Sequence, residues 1–295
     1  MTLHDPQPYA VDIATGEGWT LMLGDSCERL REIPTDSVDL SIYSPPFASL
    51  FTYSPSDRDL GNSANRGEFL LHYGFIVDEM LRITRPGRLS AVHCQQITTQ
   101  KWRDGSIGLT DFRGDLIGAH IDAGWIFHGE VTIDKDPQAQ AIRTKATSLM
   151  FVTLNKDSAM SRPALADYLL LFRKPGDNEA PIKPECDNDT WIDWARPVWY
   201  DIRESDTLNT AVARSAQDER HICPLQLGLI ERVVRLWSNR GELVVSPFAG
   251  IGSEGHEAVR LGRRFLGCEL KPSYWATACT NLRDAENLAK QGALF

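Results

Sequence analysis

A glycine-rich stretch near the C-terminal end constrains the fold most strongly, because it joins a strand pattern to a helix pattern. The apolar run Leu243–Val245 leads into the segment GIGSEG, which is followed by a helical pattern and a second apolar run that ends at Glu269. Gly250 suits a tight turn, Gly252 lets a ligand approach the backbone, and Gly255 lets the helix pack closely on the sheet. The stretch predicts a β-α-β unit with two parallel strands.

The rest of the chain alternates strand and helix patterns in the same way. Phe69, Tyr73, Ile76 and Met80 form a helical stripe, and Ser26 is predicted to cap the first helix. The strand-type segments are WTLMLGD, VDLSIYS, PGRLSAVHCQQ, IFHGEVTID, DYLLLFRKPG, LVV and FLGCE. Such alternation predicts an α/β fold: a Rossmann-like, mainly parallel sheet with helices on both faces.

Residues 175–218 depart from this pattern. They are rich in Pro, Asp and Asn, and they contain Trp191, Trp194 and Trp199. We interpret them as a small irregular insert between two parts of one domain, residues 1–174 and residues 219–295. The tryptophans fit a small core of this insert as well as they fit a contact surface.

Charge and composition exclude several classes of protein. A net charge of −9 argues against indiscriminate coating of nucleic acid, so such a contact would need a local basic patch. The six cysteines form no C-x-x-C pair and no zinc-finger spacing with histidine, so we expect reduced thiols and no metal site. No apolar run approaches the roughly 20 residues that span a bilayer, and the first residues lack the basic-then-apolar pattern of a secretory signal, so we expect none there. We expect a cytoplasmic protein without membrane contact.

The glycine loop also predicts a nucleoside site. Glu269 lies 19 positions after Gly250 at a second strand end, where a carboxylate can accept both hydroxyl protons of a ribose. NAD, FAD and S-adenosylmethionine all use this geometry. The late position of the unit leaves little room for a second nucleotide half, and the bulky Phe248 can line an adenosine pocket. Both features disfavour a dinucleotide.

A second strand end carries the segment Ser44-Pro45-Pro46-Phe47. The two prolines fix their own φ angles and keep Ser44 extended, at the edge where α/β sheets bind ligands. The Ser44 hydroxyl and the Pro45 carbonyl form a small acceptor site, and Phe47 offers a flat ring beside it. Such a pocket suits a planar ring that carries an exocyclic amine.

These two motifs resemble those of the DNA amino-methyltransferases, which methylate N4 of cytosine or N6 of adenine. Ser-Pro-Pro-Phe is similar to their catalytic motif and SPFAGIGSEG to their cofactor motif, and the order of the two resembles the β group. The resemblance extends over nearly the whole chain and implies S-adenosyl-L-methionine as the cofactor, with target recognition in residues 175–218. It implies catalytic roles for Ser44, Pro45, Pro46 and Phe47, and cofactor contacts for Asp25, Cys223, Pro224, Gln226, Ser246, Phe248, Gly250, Gly252, Ser253, Glu254 and Glu269.

The chain departs from the family pattern at three places. Most relatives have Asp where Ser246 stands and a loop of the type Gly-Ser-Gly-Thr where residues 251–254 stand, and the segment CPLQL lacks a common Lys. These differences bear on individual cofactor contacts rather than on the class. Serine at the first motif position favours cytosine N4 as the target, with adenine N6 as the alternative.

The resemblance implies DNA with a flipped target base as the partner. The loop Ala48–Gly67, with Arg58 and Arg66, would close over DNA, and residues 132–146 would lie along the target-base pocket. Arg143 and Lys145, with Lys135 and Arg162 nearby, either track phosphate or face solvent. A homodimer is an open alternative to a monomer.

Other hypotheses stay open beside this one. An RNA or small-molecule methyltransferase, a nicotinamide-dependent oxidoreductase and a catalytically silent DNA-binding module are the rival functions. His93, His120 and His128 are interpreted as core or surface residues rather than bases.

Overall fold

The computed structural model describes residues 10–46, 59–63, 65–99, 101–208 and 224–292. Within these ranges the main element is a nine-stranded sheet, and a separate two-stranded sheet lies beside it. The strands are β1 Asp12–Gly16, β2 Trp19–Leu23, β3 Val38–Tyr43, β4 Thr84–Gln95, β5 Ile97–Thr98, β6 Leu109–Thr110, β7 Ile126–Ile133, β8 Asp167–Arg173, β9 Val198–Trp199, β10 Leu243–Ser246 and β11 Arg264–Glu269. Strands β5 and β6 form the small sheet, and they pair antiparallel.

The large sheet is mainly parallel, as the sequence predicts. Its strand order is β1-β2-β11-β10-β3-β4-β8-β7-β9. The five pairings β2–β11, β11–β10, β10–β3, β3–β4 and β7–β9 are parallel. Strand β8 runs against both β4 and β7, and β1 forms a hairpin with β2. Loops that follow the parallel strands therefore gather at one edge of the sheet, where such folds bind ligands.

Helices cover both faces of this sheet. They are α1 Ser26–Arg29, α2 Arg66–Ile83, α3 Lys101–Asp104, α4 Phe112–Asp122, α5 Pro137–Thr144, α6 Phe151–Lys156, α7 Asn188–Trp194, α8 Leu227–Trp237, α9 Ser253–Arg260 and α10 Pro272–Gly292. Four short 3-10 helices accompany them within the described ranges, at Leu30–Glu32, Leu60–Asn62, Thr147–Leu149 and Ser158–Met160. None of the helices in the described part of the chain is long and apolar enough to cross a bilayer.

Two hydrophobic clusters, one on each face, hold these layers together. Val244 packs with α8, α9 and α10, whereas its neighbour Val245 packs with α2 and α4. Successive side chains of a strand point to opposite faces, so a central strand buried on both sides must be apolar throughout. This explains the uninterrupted apolar runs in the sequence.

The close fit of α9 on the sheet depends on Gly255. A Cβ atom at this position would lie 2.5 Å from the ring of Phe265 and 2.6 Å from Leu282. Real Cβ contacts are not this short, so only glycine allows the observed approach of helix and strand. The packing role that the sequence predicts for Gly255 is confirmed.

Residues 175–208 are more regular than their composition predicts. They contain α7 and the edge strand β9, which extends the large sheet beside β7. Trp199 is buried in the main core, whereas Trp191 is half exposed. Glu185 forms ion pairs with Arg240 and Arg263, which flank strand β10. Whether this segment recognises the target stays a prediction, as does the three-part division of the chain.

Candidate active site

The Ser-Pro-Pro turn lies at the carboxyl end of β3. All six residues of this strand are buried, Ser44 and Pro46 are partly exposed, and Pro45 is buried. Strand β3 pairs in parallel with β10, with Val245 opposite Ser41, so the serine turn and the loop after Ser246 leave the sheet at the same edge. Phe47 lies outside the described residues, and its stacking role stays a prediction.

His93 lies beside Ser44 at the end of the neighbouring strand β4. Tyr43 is opposite Val92 in the β3–β4 register, so Ser44 and His93 come next on each strand. The distance from Ser44 Oγ to His93 Nδ1 is 3.4 Å, a long hydrogen bond. The sequence-based interpretation of His93 as a purely structural residue is therefore incomplete, although its side chain is indeed buried. Its position near the end of a buried strand is the sequence clue to this role.

Asp167, the first residue of β8, holds the other side of the imidazole. His93 Nε2 lies 3.1 Å from Asp167 Oδ2, and Lys135 Nζ lies 2.6 Å from the same oxygen. Gln95 donates to Asp167 Oδ1 at 2.8 Å. Burial alone would raise the pKa of the Asp167 carboxyl, but the hydrogen bond from His93 and the ammonium of Lys135 hold it below its ordinary value. Asp167 is thus an ionised acceptor within a buried network.

This network sets the direction of the Ser44 hydroxyl. An ionised Asp167 favours a proton on His93 Nε2, because that N–H can donate to the carboxylate. In that tautomer Nδ1 carries a lone pair, which can accept the hydroxyl proton of Ser44 at 3.4 Å. With its hydrogen engaged, Ser44 Oγ presents its lone pairs to whatever occupies the crevice.

The other two histidines have structural positions. His120 is fully buried, stacks on Phe172 with ring centroids 3.8 Å apart, and lies 3.4 Å from the Tyr43 hydroxyl. Burial lowers the pKa of His120 to about 4, so the ring is neutral near neutral pH. His128 is exposed. The interpretation of these two residues as core and surface residues agrees with the structure.

The glycine loop forms the second half of the crevice. Gly250 and Gly252 both have positive φ values, +53° and +86°, which side-chain-bearing residues rarely adopt. A Cβ atom at Gly250 would meet nothing within 4 Å, so the backbone faces open space. The Gly250 N–H donates to Glu269 Oε2 and the Lys271 N–H donates to Glu269 Oε1, each at 2.8 Å. The carboxylate is thereby held at the tip of β11 and retains further lone pairs for a ligand.

Two carboxyl groups in this region have raised pKa values. Burial raises the pKa of Glu254 to about 8, and the nearby charge of Glu269 adds to the effect. Burial likewise raises the pKa of Glu269 to about 7, against two backbone N–H groups that stabilise its ionised form. Desolvation favours the neutral form of an acid, and it is the main cause of both shifts, although Glu254 is buried and Glu269 is partly exposed.

Three buried polar atoms in this region have no hydrogen-bond partner among the described residues. They are Ser246 Oγ at the end of β10, Ser253 Oγ at the start of α9 and Gln226 Oε1 before α8. All three were predicted from the sequence as cofactor contacts. Unpaired buried polar atoms cost free energy, so their concentration around the glycine loop fits a site for a polar ligand. The donors and acceptors present therefore suit the nucleoside and amino-acid portions of S-adenosylmethionine.

Asp25, another predicted cofactor residue, caps the first helix in place of Ser26. It accepts from the Cys27 N–H at 2.9 Å. Ser26 instead donates its hydroxyl to the Pro247 carbonyl. The sequence-based assignment of Ser26 as the cap is therefore wrong by one residue, because the serine hydroxyl has a partner in the glycine-loop segment.

The remaining predicted cofactor residues lie around this crevice or outside the described ranges. Phe248 packs near Tyr43, with ring centroids 5.9 Å apart. Pro224 is partly exposed just before α8, and Cys223 lies outside the described residues. The cofactor contacts of all these residues stay predictions.

The basic residues predicted to follow DNA have different surroundings. Lys135 is buried in the ion pair with Asp167, so it does not track phosphate. Arg66 pairs with Asp115, and Arg58 lies outside the described residues. Lys145 is exposed. Within the described ranges, no group of three or more His, Cys, Asp or Glu side chains is arranged to hold a metal ion.

This chain resembles known proteins in both sequence and structure. The family model of DNA methylases matches residues 38–279. The Type II methyltransferase M1.MboII of Moraxella bovis is 43% identical over 265 residues, which cover 83% of this chain and 89% of that protein. TTHA0409 of Thermus thermophilus, in complex with S-adenosyl-L-methionine, superposes with a TM-score of 0.66 at 23% identity, over 89% of this chain and 94% of its own. The PvuII DNA methyltransferase, described as cytosine-N4-specific, has a TM-score of 0.66 at 18% identity, over 94% of this chain and 93% of its own.

Proposed function

The chain belongs to the DNA methylase family, and from this premise we propose that it transfers a methyl group to N4 of cytosine in DNA. It is an S-adenosyl-L-methionine-dependent DNA amino-methyltransferase. The target base and the residues that act on it are the proposed part. One observation carries the proposal: Ser44 Oγ lies 3.4 Å from His93 Nδ1, within reach of a group that can accept its hydrogen.

This arrangement addresses the weakness of an exocyclic amine as a nucleophile. The lone pair of the amine is delocalised into the base, so the nitrogen attacks poorly while it stays planar. Acceptors at Ser44 Oγ and the Pro45 carbonyl would draw the two N–H groups out of the ring plane and localise the lone pair on nitrogen. Such stabilisation grows towards the transition state, which is where it raises the rate.

S-adenosylmethionine, when bound, supplies the electrophilic methyl group of its sulfonium. The residues around the glycine loop would hold it: Glu269 at the ribose, Phe248 beside the adenine, and Ser246, Ser253 and Gln226 at polar atoms. Ser246 and Glu269 end strands β10 and β11, Ser253 begins α9 and Gln226 precedes α8, so a cofactor held by them would face the neighbouring end of β3. Catalysis then depends mainly on positioning two reactants at adjacent strand ends.

Proton removal completes the proposed mechanism. After methyl transfer the nitrogen is cationic and acidic, so one N–H bond breaks and its electron pair returns to nitrogen. The proton passes to Ser44 Oγ while the Ser44 hydroxyl proton passes to His93 Nδ1. Asp167 then stabilises the imidazolium through the hydrogen bond from Nε2–H, at a distance of 3.1 Å.

Cytosine is favoured over adenine for two reasons. The first motif residue is Ser44, which the family resemblance associates with cytosine N4. A structural neighbour with the same fold is described as cytosine-N4-specific. Adenine N6 is the second candidate, because its amine presents the same two N–H donors. In either case the base must leave the helical stack to reach the recessed Ser44, at a cost of a few kcal/mol.

Incubation with isotopically labelled S-adenosylmethionine and duplex DNA, followed by nucleoside mass analysis, tests the proposal. We expect label in 4-methylcytosine. Label only in 6-methyladenine would overturn the assignment of the base, and label in RNA but not in DNA would overturn the assignment of the substrate.

The Ser44→Ala variant tests the role assigned to this hydroxyl. Loss of one oriented acceptor should reduce turnover by about 100-fold or more, while cofactor affinity measured by calorimetry changes little. Unchanged turnover in this variant would remove Ser44 from the mechanism.

A further inference from the structure

A basic segment with no acidic residue lies between β7 and β8. Residues 137–156 contain Arg143, Lys145 and Lys156 but no Asp or Glu, although the whole chain has 40 acidic residues and a net charge of −9. We call residues 137–156, which include helices α5 and α6, the α5–α6 arm. Its charge is opposite to that of the whole molecule, which indicates a locally attractive surface for an anionic partner.

The α5–α6 arm also exposes large apolar side chains. Phe151 is 73% exposed and Val152 is 77% exposed on α6. Ile142, Met150 and Leu154 of the arm, and Met160 just beyond it, are exposed as well. Scattered apolar residues on a surface are ordinary, but a group of this size on one short segment is typical of a contact site.

Buried polar contacts attach the arm to the catalytic edge of the sheet. The Gln140 side chain accepts from the Leu165 N–H at 2.9 Å and donates to the Leu165 carbonyl at 3.0 Å, and Gln140 is only 2% exposed. Lys135, just before α5, pairs with Asp167, which holds His93 against Ser44. The arm therefore stands next to the crevice in which the target amine would react.

We propose that the α5–α6 arm is a DNA-binding element that contacts the duplex beside the flipped base. Lys145 and Lys156 bind phosphates, and Phe151 and Val152 pack against the bases next to the vacated position. This inference rests on the proposed function, because it needs DNA as the substrate.

DNA fits this surface better than a second copy of the chain does. A symmetric contact between two arms would bring like charges together from both copies, which is unfavourable in an interface. Duplex DNA supplies phosphates for the lysines and, where a base has left the stack, an apolar gap for side chains. Proteins that unstack bases commonly insert apolar side chains at such steps.

Salt-dependent binding tests the charged half of the proposal. In the K145Q/K156Q variant, the slope of log affinity against log salt concentration for a labelled duplex should become shallower by about 2, one for each lost phosphate contact. The loss should be similar for all sequences. The matched control is R31Q/R283Q. It removes two exposed cations outside the arm, Arg31 in the 3-10 helix Leu30–Glu32 and Arg283 in α10, and should leave the slope unchanged.

Substrate structure tests the apolar half. In F151A/V152A, kcat/KM on fully paired duplex should fall about tenfold or more, because contacts to unstacked bases are lost. On a duplex whose target base is mismatched, the loss should stay within about threefold, because that base is already unpaired. The control L71A/F75A removes two exposed apolar side chains of α2 and should affect neither substrate.

Several outcomes would overturn the inference while leaving the proposed function intact. One is a wild-type salt slope in K145Q/K156Q. Another is an equal loss of kcat/KM on paired and mismatched duplex in F151A/V152A. A third is weaker self-association of either arm variant with unchanged affinity for DNA. Calorimetric cofactor binding confirms that each variant is folded. If the wild-type protein neither binds nor methylates DNA, the proposed function fails and the inference fails with it.

Discussion

At the scale of single residues, the site places the Ser44 hydroxyl beside the His93 imidazole, which can orient it. A serine hydroxyl is both donor and acceptor, and only its acceptor side is useful towards an amine. In the proposed mechanism His93, which lies 3.1 Å from Asp167, accepts the hydroxyl hydrogen and leaves the oxygen lone pairs free. A side chain buried behind the reactive residue can thus determine the chemistry of that residue.

Substitution of His93 tests this orientation. In His93→Ala, the Ser44 hydrogen has no acceptor and no group takes up the product proton, so kcat should fall by about 100-fold. In His93→Asn, the amide oxygen can replace Nδ1 as an acceptor without replacing it as a base, so kcat should be intermediate. Single-turnover rates and cofactor affinities of both variants provide the measurement. A kcat of His93→Ala within about threefold of wild type would contradict the assignment.

At the scale of elements, the geometry of the β10–loop–α9–β11 unit depends on the close packing of α9 against β11 at Gly255. The loop leaves open space beside the Gly250 backbone, and the buried Ser246 and Ser253 hydroxyls next to it have no hydrogen-bond partner among the described residues. Glycine at position 255 supports this geometry through packing, although it does not face the ligand. A glycine on the exposed side of another helix has no such role.

Two Gly→Ala substitutions distinguish these cases. Gly255→Ala forces its Cβ into Phe265 and Leu282, so it should lower the free energy of unfolding by about 1–3 kcal/mol. Gly74→Ala in α2 meets no atom within 4 Å and should raise it by about 0.5–1 kcal/mol through better helix propensity. Denaturant unfolding of both variants measures the difference. Equal effects of the two substitutions would show that close packing at Gly255 is unimportant.

At the scale of the whole molecule, the crevice concentrates buried carboxyl groups in an already acidic protein. Glu254 and Glu269 both have pKa values raised by desolvation, and the charge of Glu269 raises the pKa of Glu254 further. Between the ordinary glutamate pKa of 4.5 and about 8, folded Glu254 holds a proton that the unfolded chain has released. Rising pH therefore lowers the free energy of unfolding in this interval.

The stability of the cofactor-free protein between pH 6.5 and 8 tests this assignment. Above pH 6.5 the opposing contribution of buried His120 is complete, so the free energy of unfolding should decrease by up to about 2 kcal/mol over the interval. Glu254→Gln should flatten the decrease. The control Glu257→Gln removes a carboxyl group whose pKa is lowered by His256 and Arg260, so it should keep the slope. A steep slope in Glu254→Gln would contradict the assignment.

The sequence by itself determined the mainly parallel sheet, the glycine turn and the two strand ends that form the crevice. These follow from local patterns: apolar runs bounded by turns, glycines at positions with positive φ, and prolines directly after a strand. Each pattern acts within a few residues of the chain, so it can be recognised without knowledge of distant neighbours. Ser44, Ser246 and Glu269 could be assigned to one edge for this reason.

Only the tertiary structure decided which side chains support these residues. Ser44, His93, Lys135 and Asp167 come from the ends of β3, β4, β7 and β8, and the order of β8 between β4 and β7 brings them together. No local spacing encodes that order, because it results from burial of both sheet faces at once. The same global packing placed Trp199 in the core and left the α5–α6 arm exposed beside the site.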